Sequence, residues 1–163
     1  MKSIIFKAGE EATNALHMLS KFKHLDPTYF ELDYLNNFNI ERYIDEPLSV
    51  TIPKAITRIE EANTNASAII FPADIKENGM IASSIIIVIH NNVQEFDVTI
   101  SIKYRFENNK IKISKYQLID YNNLFEAELK DIENEFVEGL LSPKYAMDIW
   151  LKSSIVNRAK QSL

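Results

Sequence analysis

Residues 96–122 read FDVTISIKYRFENNKIKISKYQLIDYN, and the alternation inside this stretch decides the fold. Val98, Ile100, Ile102, Tyr104 and Phe106 fall on one side of an extended chain, and Thr99, Ser101, Lys103 and Arg105 fall on the other. A period of two marks a strand with one face in a core. Asn108 and Asn109 tolerate the positive backbone angles of a two-residue turn, which sets Glu107 opposite Lys110 and Phe106 opposite Ile111. Beyond that turn Ile111 and Ile113 are odd-numbered whereas Tyr116 and Leu118 are even. A bulge near Ser114 or Lys115 is therefore predicted, because one extra residue returns the later pair to the core side.

Working backwards, residues 80–90 contain Ile85, Ile86, Ile87, Val88 and Ile89, apolar on both faces, as suits a central strand covered on both sides. Asn78 and Gly79 form the turn before it. The run 68–75 precedes that turn and contains Pro72, which cannot donate to a ladder and so predicts an edge strand. Four strands in succession without intervening helices point to an antiparallel meander.

Helical spacing brackets these strands. Ala12, Ala15, Leu16, Leu19 and Phe22 predict a helix over residues 10–23. Asp26 and Pro27 read as the cap and first position of a second helix over residues 28–36, and Pro53 as the start of a third through Ile56, Ile59 and Ala62. After Asn123, the stripe Phe125, Leu129, Ile132, Phe136 and Leu140 predicts a long helix. Ser142 and Pro143 then open a last one carrying Ala146, Ile149, Trp150 and Ile155. The expected architecture is a single α+β domain over residues 1–163: a four-stranded antiparallel meander preceded by two to three helices and followed by two C-terminal helices.

Composition narrows the chemistry. The 163 residues include no cysteine, which removes thiol catalysis, thiolate zinc sites and disulfides. Lys2 and Lys7 bracket only Ile4, Ile5 and Phe6, short of a signal h-region, so a soluble, cytoplasmic protein is expected, without a membrane partner. Fifteen Asn, twenty-three Ile and fourteen Lys against four Arg fit an AT-rich coding bias, hence a bacterial or phage source. Gly9, Gly79 and Gly139 stand alone, so no glycine-rich phosphate loop exists, and no Gly-x-Ser-x-Gly elbow is present.

His17, His24 and His90 sit in no metal or catalytic motif, and surface or capping roles are expected for them. Tyr145 and Trp150 read as core or helix packing. Lys103, Arg105, Lys110, Lys112 and Lys115 lack the interleaved aromatics of a nucleic-acid platform, and Arg105 faces Lys112 unless an acid lies nearby. A paired-carboxylate hydrolase lacks the aromatic surround that sugar stacking wants.

Charge is the remaining signal. Residues 26–46 hold six acids against Arg42, a net of minus five, and residues 120–138 hold seven against Lys130, a net of minus six. Each alone matches or exceeds the whole-chain charge of −5. Acidic fields steer cationic partners and repel phosphate backbones. The expectation is thus a non-catalytic binding protein without cofactor or metal, which inhibits a basic protein. Its most concrete form is a bacterial immunity protein neutralising a nuclease-type toxin. Asp26, Glu31, Asp33, Glu128, Asp131, Glu135 and Glu138 are the expected partner-binding residues. Two alternatives are a ligand-binding protein or enzyme with a pocket between sheet and long helix, lined by Tyr104, Tyr116, Phe125 or Trp150, and a structural homo-oligomer using outward-facing isoleucines of the central strand.

Overall fold

A computed structural model describes residues 3–61 and 63–150. The chain runs α1 (Ile4–Phe22), β1 (Thr28–Leu32), β2 (Phe38–Arg42), α2 (Leu48–Glu61), β3 (Ala66–Glu77), β4 (Met80–Asn91), β5 (Phe96–Glu107), β6 (Lys110–Asn122), α3 (Glu126–Leu140) and α4 (Ala146–Trp150). The fold is α+β, and its antiparallel sheet has six strands in the order β2-β1-β3-β4-β5-β6.

The meander forms as its turn residues dictate. Asn78 and Gly79 take φ of 49° and 79°, and Asn108 and Asn109 take 54° and 61°, the left-handed angles of two-residue hairpins. Glu107 pairs with Lys110 and Phe106 with Ile111, as the alternation requires. Lys103 pairs with Lys115 while Tyr104 pairs with Ile113, so Ser114 is the extra residue of the expected bulge. A second irregularity at Ile119, between the Thr99–Asp120 and Ile100–Leu118 pairs, was not foreseen. Both deformations lie on β6, an edge strand, where bulges and lysines hinder further pairing.

Two strands replace the helix expected at 28–36. In β1, Thr28, Phe30 and Leu32 turn to one face and Tyr29 and Glu31 to the other, a period of two that aromatic residues favour. Asp33 ends the strand instead of continuing a helix: its carboxylate accepts the amides of Leu35 and Asn37, both at 2.9 Å, and Asn36 takes φ 62°. The chain then returns as β2. Pro72, expected on an edge, lies in β3 between two neighbours, yet β1 pairs only with Ala66–Ile70. Past Ile70 that side of β3 is a local edge, so the missing amide interrupts no ladder.

Pro53 does not open α2; the helix starts at Leu48, directly after Pro47. Thr51 Oγ1 donates to the Pro47 carbonyl at 3.1 Å and to Glu46 at 3.2 Å, fastening the first turn. Helix α1 likewise begins earlier than its polar flank suggested, at Ile4, with Ser3 Oγ accepting the Phe6 amide at 3.2 Å. Phe22, expected in the buried stripe, is 63% exposed because Lys23, at φ 56°, ends the helix there. Ile155 lies outside the described residues.

Helices α1 and α3 cover one face of the sheet. Their core joins Ile4, Leu16 and Phe136 to Phe30, Ile70, Ile85, Ile87, Ile100 and Ile102. Tyr116 stacks on Phe136 at 5.6 Å, and Trp150 is fully buried. Its Nε1 donates to Thr13 Oγ1 at 2.9 Å, and Thr13 Oγ1 donates onward to the Leu140 carbonyl at 2.6 Å, so one hydroxyl ties α1, α3 and α4 together. The opposite face carries a smaller cluster, in which Ala55 and Ile59 of α2 pack with Tyr29, Tyr43 and Ile69. The isoleucine-rich β4 is therefore covered on both faces only where α2 reaches it.

Backbone meets backbone where α1 crosses α3. A Cβ at Gly9 would overlap the Phe136 carbonyl oxygen and lie 2.7 Å from Leu140 N; one at Gly139 would overlap the Phe6 carbonyl and lie 3.0 Å from Gly9 Cα. Nothing at this contact can rotate away, since the opposing atoms are main chain. Gly9→Ala or Gly139→Ala should each lower stability by about 3 kcal/mol or more, above the ~1–3 kcal/mol usual for an overpacked core. Thr13→Val should cost about 1–3 kcal/mol, because Trp150 N–H loses its acceptor in a dry interior. Urea unfolding of the three variants checks both expectations; wild-type midpoints would contradict them.

Candidate functional site

Five of the six carboxylates of residues 26–46 are engaged one by one; Asp45 is exposed and makes no hydrogen bond or ion pair among the described residues. Asp26 pairs with His24 at 2.8 Å, and Glu31 accepts the Tyr29 hydroxyl at 2.6 Å. Asp33 is bound into its turn, Glu41 pairs with Arg58, and Glu46 holds Thr51 and lies 3.9 Å from Lys54. Arg58 also lies over the Tyr29 ring at 3.9 Å, so this network clamps α2 to the sheet. These acids hold a hairpin and a helix in place. Leu32 and Asn36, on either side of Asp33 in the chain, line one groove with Glu135 of α3.

On α3 the four predicted residues share a flank, as their three- and four-residue spacing requires. Glu128 accepts the Phe125 amide at 3.2 Å and so fastens the start of the helix. Glu135 accepts the Ser3 hydroxyl across to α1. Asp131 and Glu138 are exposed and make no hydrogen bond or ion pair among the described residues. A groove of about 500 Å³ opens beside Glu135, between Ile132 and the start of α1.

Tyr104, Tyr116 and Trp150, the lining expected for the alternative of a pocket between sheet and long helix, pack as core, and Phe125 is 78% exposed; the groove beside Glu135 is lined instead by Ile132 of α3 and by Leu32, Ala66 and Phe96 of the sheet. The larger groove lies on the other face of the sheet. It has a volume of about 660 Å³ and runs between α2 and the ends of β4, β5 and β6. Register builds it: His90, Asp97 and Asn122 form one row across the strands, and Val88, Thr99 and Asp120 the next. Ile56, Ile59 and Glu60 supply the α2 wall. His90 Nδ1 meets the Asp97 carboxylate, and its Nε2 lies 2.6 Å from Asn92 Oδ1. The periodicity of β4 and β5 placed these residues on one face in principle. Nothing in the sequence announced that α2, sixty residues from Asp120 at Glu60, would wall them in.

Other expected roles resolve locally. His17 stacks on Tyr145 at 4.0 Å. Arg105 and Lys112 do face each other, and Glu107 answers both, at 3.2 Å and 3.1 Å. Lys103, expected on an open face, is 5% exposed between β4 and β6. Among the described residues no group of three acids or histidines could hold a metal ion, and no helix is long and apolar enough to cross a membrane. No protein-family model, curated protein or solved structure matches the chain.

Hydrogen bonds move two carboxyls and burial moves a third. The Asn37 and Leu35 amides hold Asp33 below the ordinary carboxylate range, and Lys112, then Arg105, do the same for Glu107. Burial pushes Glu11 up from 4.5, against the pull of Arg42. A depressed carboxyl contributes stability present above its unfolded pKa and lost as pH falls through its folded value. A raised one costs stability once pH climbs past the unfolded value. Asp33→Asn and Glu107→Gln should thus lose more against wild type at pH 7 than at pH 3, whereas Glu11→Gln should compare better at pH 7 than at pH 4. Denaturant titrations at these pH values check the signs; differences that do not change with pH would exclude the assignments.

Proposed function

We propose that this protein is a non-catalytic binding protein that meets a basic protein partner through the acidic flank of α3 and thereby inhibits it. One contrast supports the reading: five of the six acids of residues 26–46 are engaged by their neighbours, Asp45 excepted, whereas Asp131 and Glu138 stand exposed beside Glu128 and Glu135 with no cation answering them among the described residues. Uncompensated like charges along one helix flank repel each other and favour any cation that approaches. Such a field raises association rates and rejects phosphate backbones. A nuclease, whose nucleic-acid groove is basic, is the partner class that this field suits, which makes an immunity protein against a nuclease-type toxin the concrete form of the proposal.

Affinity capture from the source cells at low and high salt, followed by kinetics on the captured partner, tests it. A basic protein should be retained. The Asp131→Asn/Glu138→Gln double variant should associate about tenfold more slowly at low salt, and the two chains should converge near 1 M salt, where the screening length falls to about 3 Å. Equal association rates for both chains at low salt, or turnover of any compound by the protein alone, would refute the reading.

A further inference from the structure

The groove on the α2 face is chemically asymmetric. Its α2 wall is apolar, built from Ile56 and Ile59, and Val88 of β4 lies at its foot. The sheet floor beyond Val88 carries Asp97 and Asp120, with Glu60 on α2, and among the described residues neither lysine nor arginine lines the groove. Asp97 and Asp120 stand diagonally on neighbouring strands, a relation that sets residues about 7–8 Å apart. His90, whose Nδ1 meets Asp97, closes one end of the row. Carboxylates beside an apolar wall select against anions, and they leave a neutral hydrocarbon only that wall. A ligand with an apolar body and a cationic head uses both parts. The volume of about 660 Å³ falls within the roughly 300–1,000 Å³ of small-molecule sites.

We propose that this groove binds a small organic cation, with an ammonium group among Asp97, Asp120 and Glu60 and its hydrocarbon body on Val88, Ile56 and Ile59. The site is independent of the α3 flank, which lies on the other side of the sheet. It is a binding site, and no bond is made or broken there.

Hexylamine, hexanol and hexanoate share one hydrocarbon body and differ in charge, so they separate the contributions. Followed by backbone amide NMR up to about 10 mM, a range suited to a ligand of so few atoms, hexylamine should shift the Val88, Thr99 and Asp120 signals. Hexanol should bind roughly tenfold more weakly, and hexanoate should leave the signals in place. Asp120→Asn and Glu60→Gln, both at exposed positions, should each weaken hexylamine several-fold with the remaining spectrum unchanged. The Asp131→Asn/Glu138→Gln chain should bind hexylamine as wild type does, so the groove can stand or fall apart from the α3 reading. Equal binding of hexylamine and hexanol, an unaltered affinity in both groove variants, or no shift of the groove amides would overturn the proposal.

Discussion

Everything on the main-core side of this protein depends on how closely α1 approaches α3. With Gly9 and Gly139 facing each other, the two helices touch main chain to main chain, leaving no space for a Cβ at either position. That proximity lets Phe136 reach Tyr116 on the sheet and brings the end of α3 to Thr13, whose hydroxyl then also receives the Trp150 N–H. Packing at this density fills the space around Tyr116, Phe136 and Trp150. One groove opens at the margin of that packing, where α1, α3 and the sheet meet beside Glu135, and the other lies on the opposite face.

The opposite face is shaped by incomplete coverage. Helix α2 is anchored through Ala55, Ile59 and the Arg58 network to β1 and β3, and it stops short of β5 and β6. The strands beyond it keep polar residues there, Thr99, Asp120 and Asp97 among them, while Val88 and Ile86 remain as apolar ground between helix and polar rows. A groove at such a boundary follows from a helix that covers part of a sheet. Its negative edge comes from which residues the register of β5 and β6 delivers there, including the shift at Ile119 that sets Asp120 opposite Thr99.

Local patterns proved readable wherever a residue's own conformational preference decided the outcome. Asn78-Gly79 and Asn108-Asn109 made their hairpins, the change of parity between Ile113 and Tyr116 marked the bulge, and the stripe through Ile132, Phe136 and Leu140 marked α3. The reading of Asp26-Pro27 as a helix start failed because strand-forming aromatics follow it, and Phe30 finds a place against Ala68 of β3. Pro53 misled in the same way: a cap signal is local and recurs, whereas Pro47 alone is followed by a turn that Thr51 fastens. For the charges, the sequence showed that carboxylates were abundant in two stretches. It could not show which were already occupied, because Arg58 and Glu41 meet across a helix and a strand.

The sequence by itself determined the meander, its turns, one bulge, the outer helices and the surplus of acid, since each follows from backbone preference or from periodicity within one element. Tertiary structure alone decided that residues 28–42 add two strands to the sheet, that two isolated glycines face each other, and that α2 walls a groove with Asp97 and Asp120. The physical reason is the same in all three: a pairing energy, a close approach or a concavity exists only between segments distant in the chain.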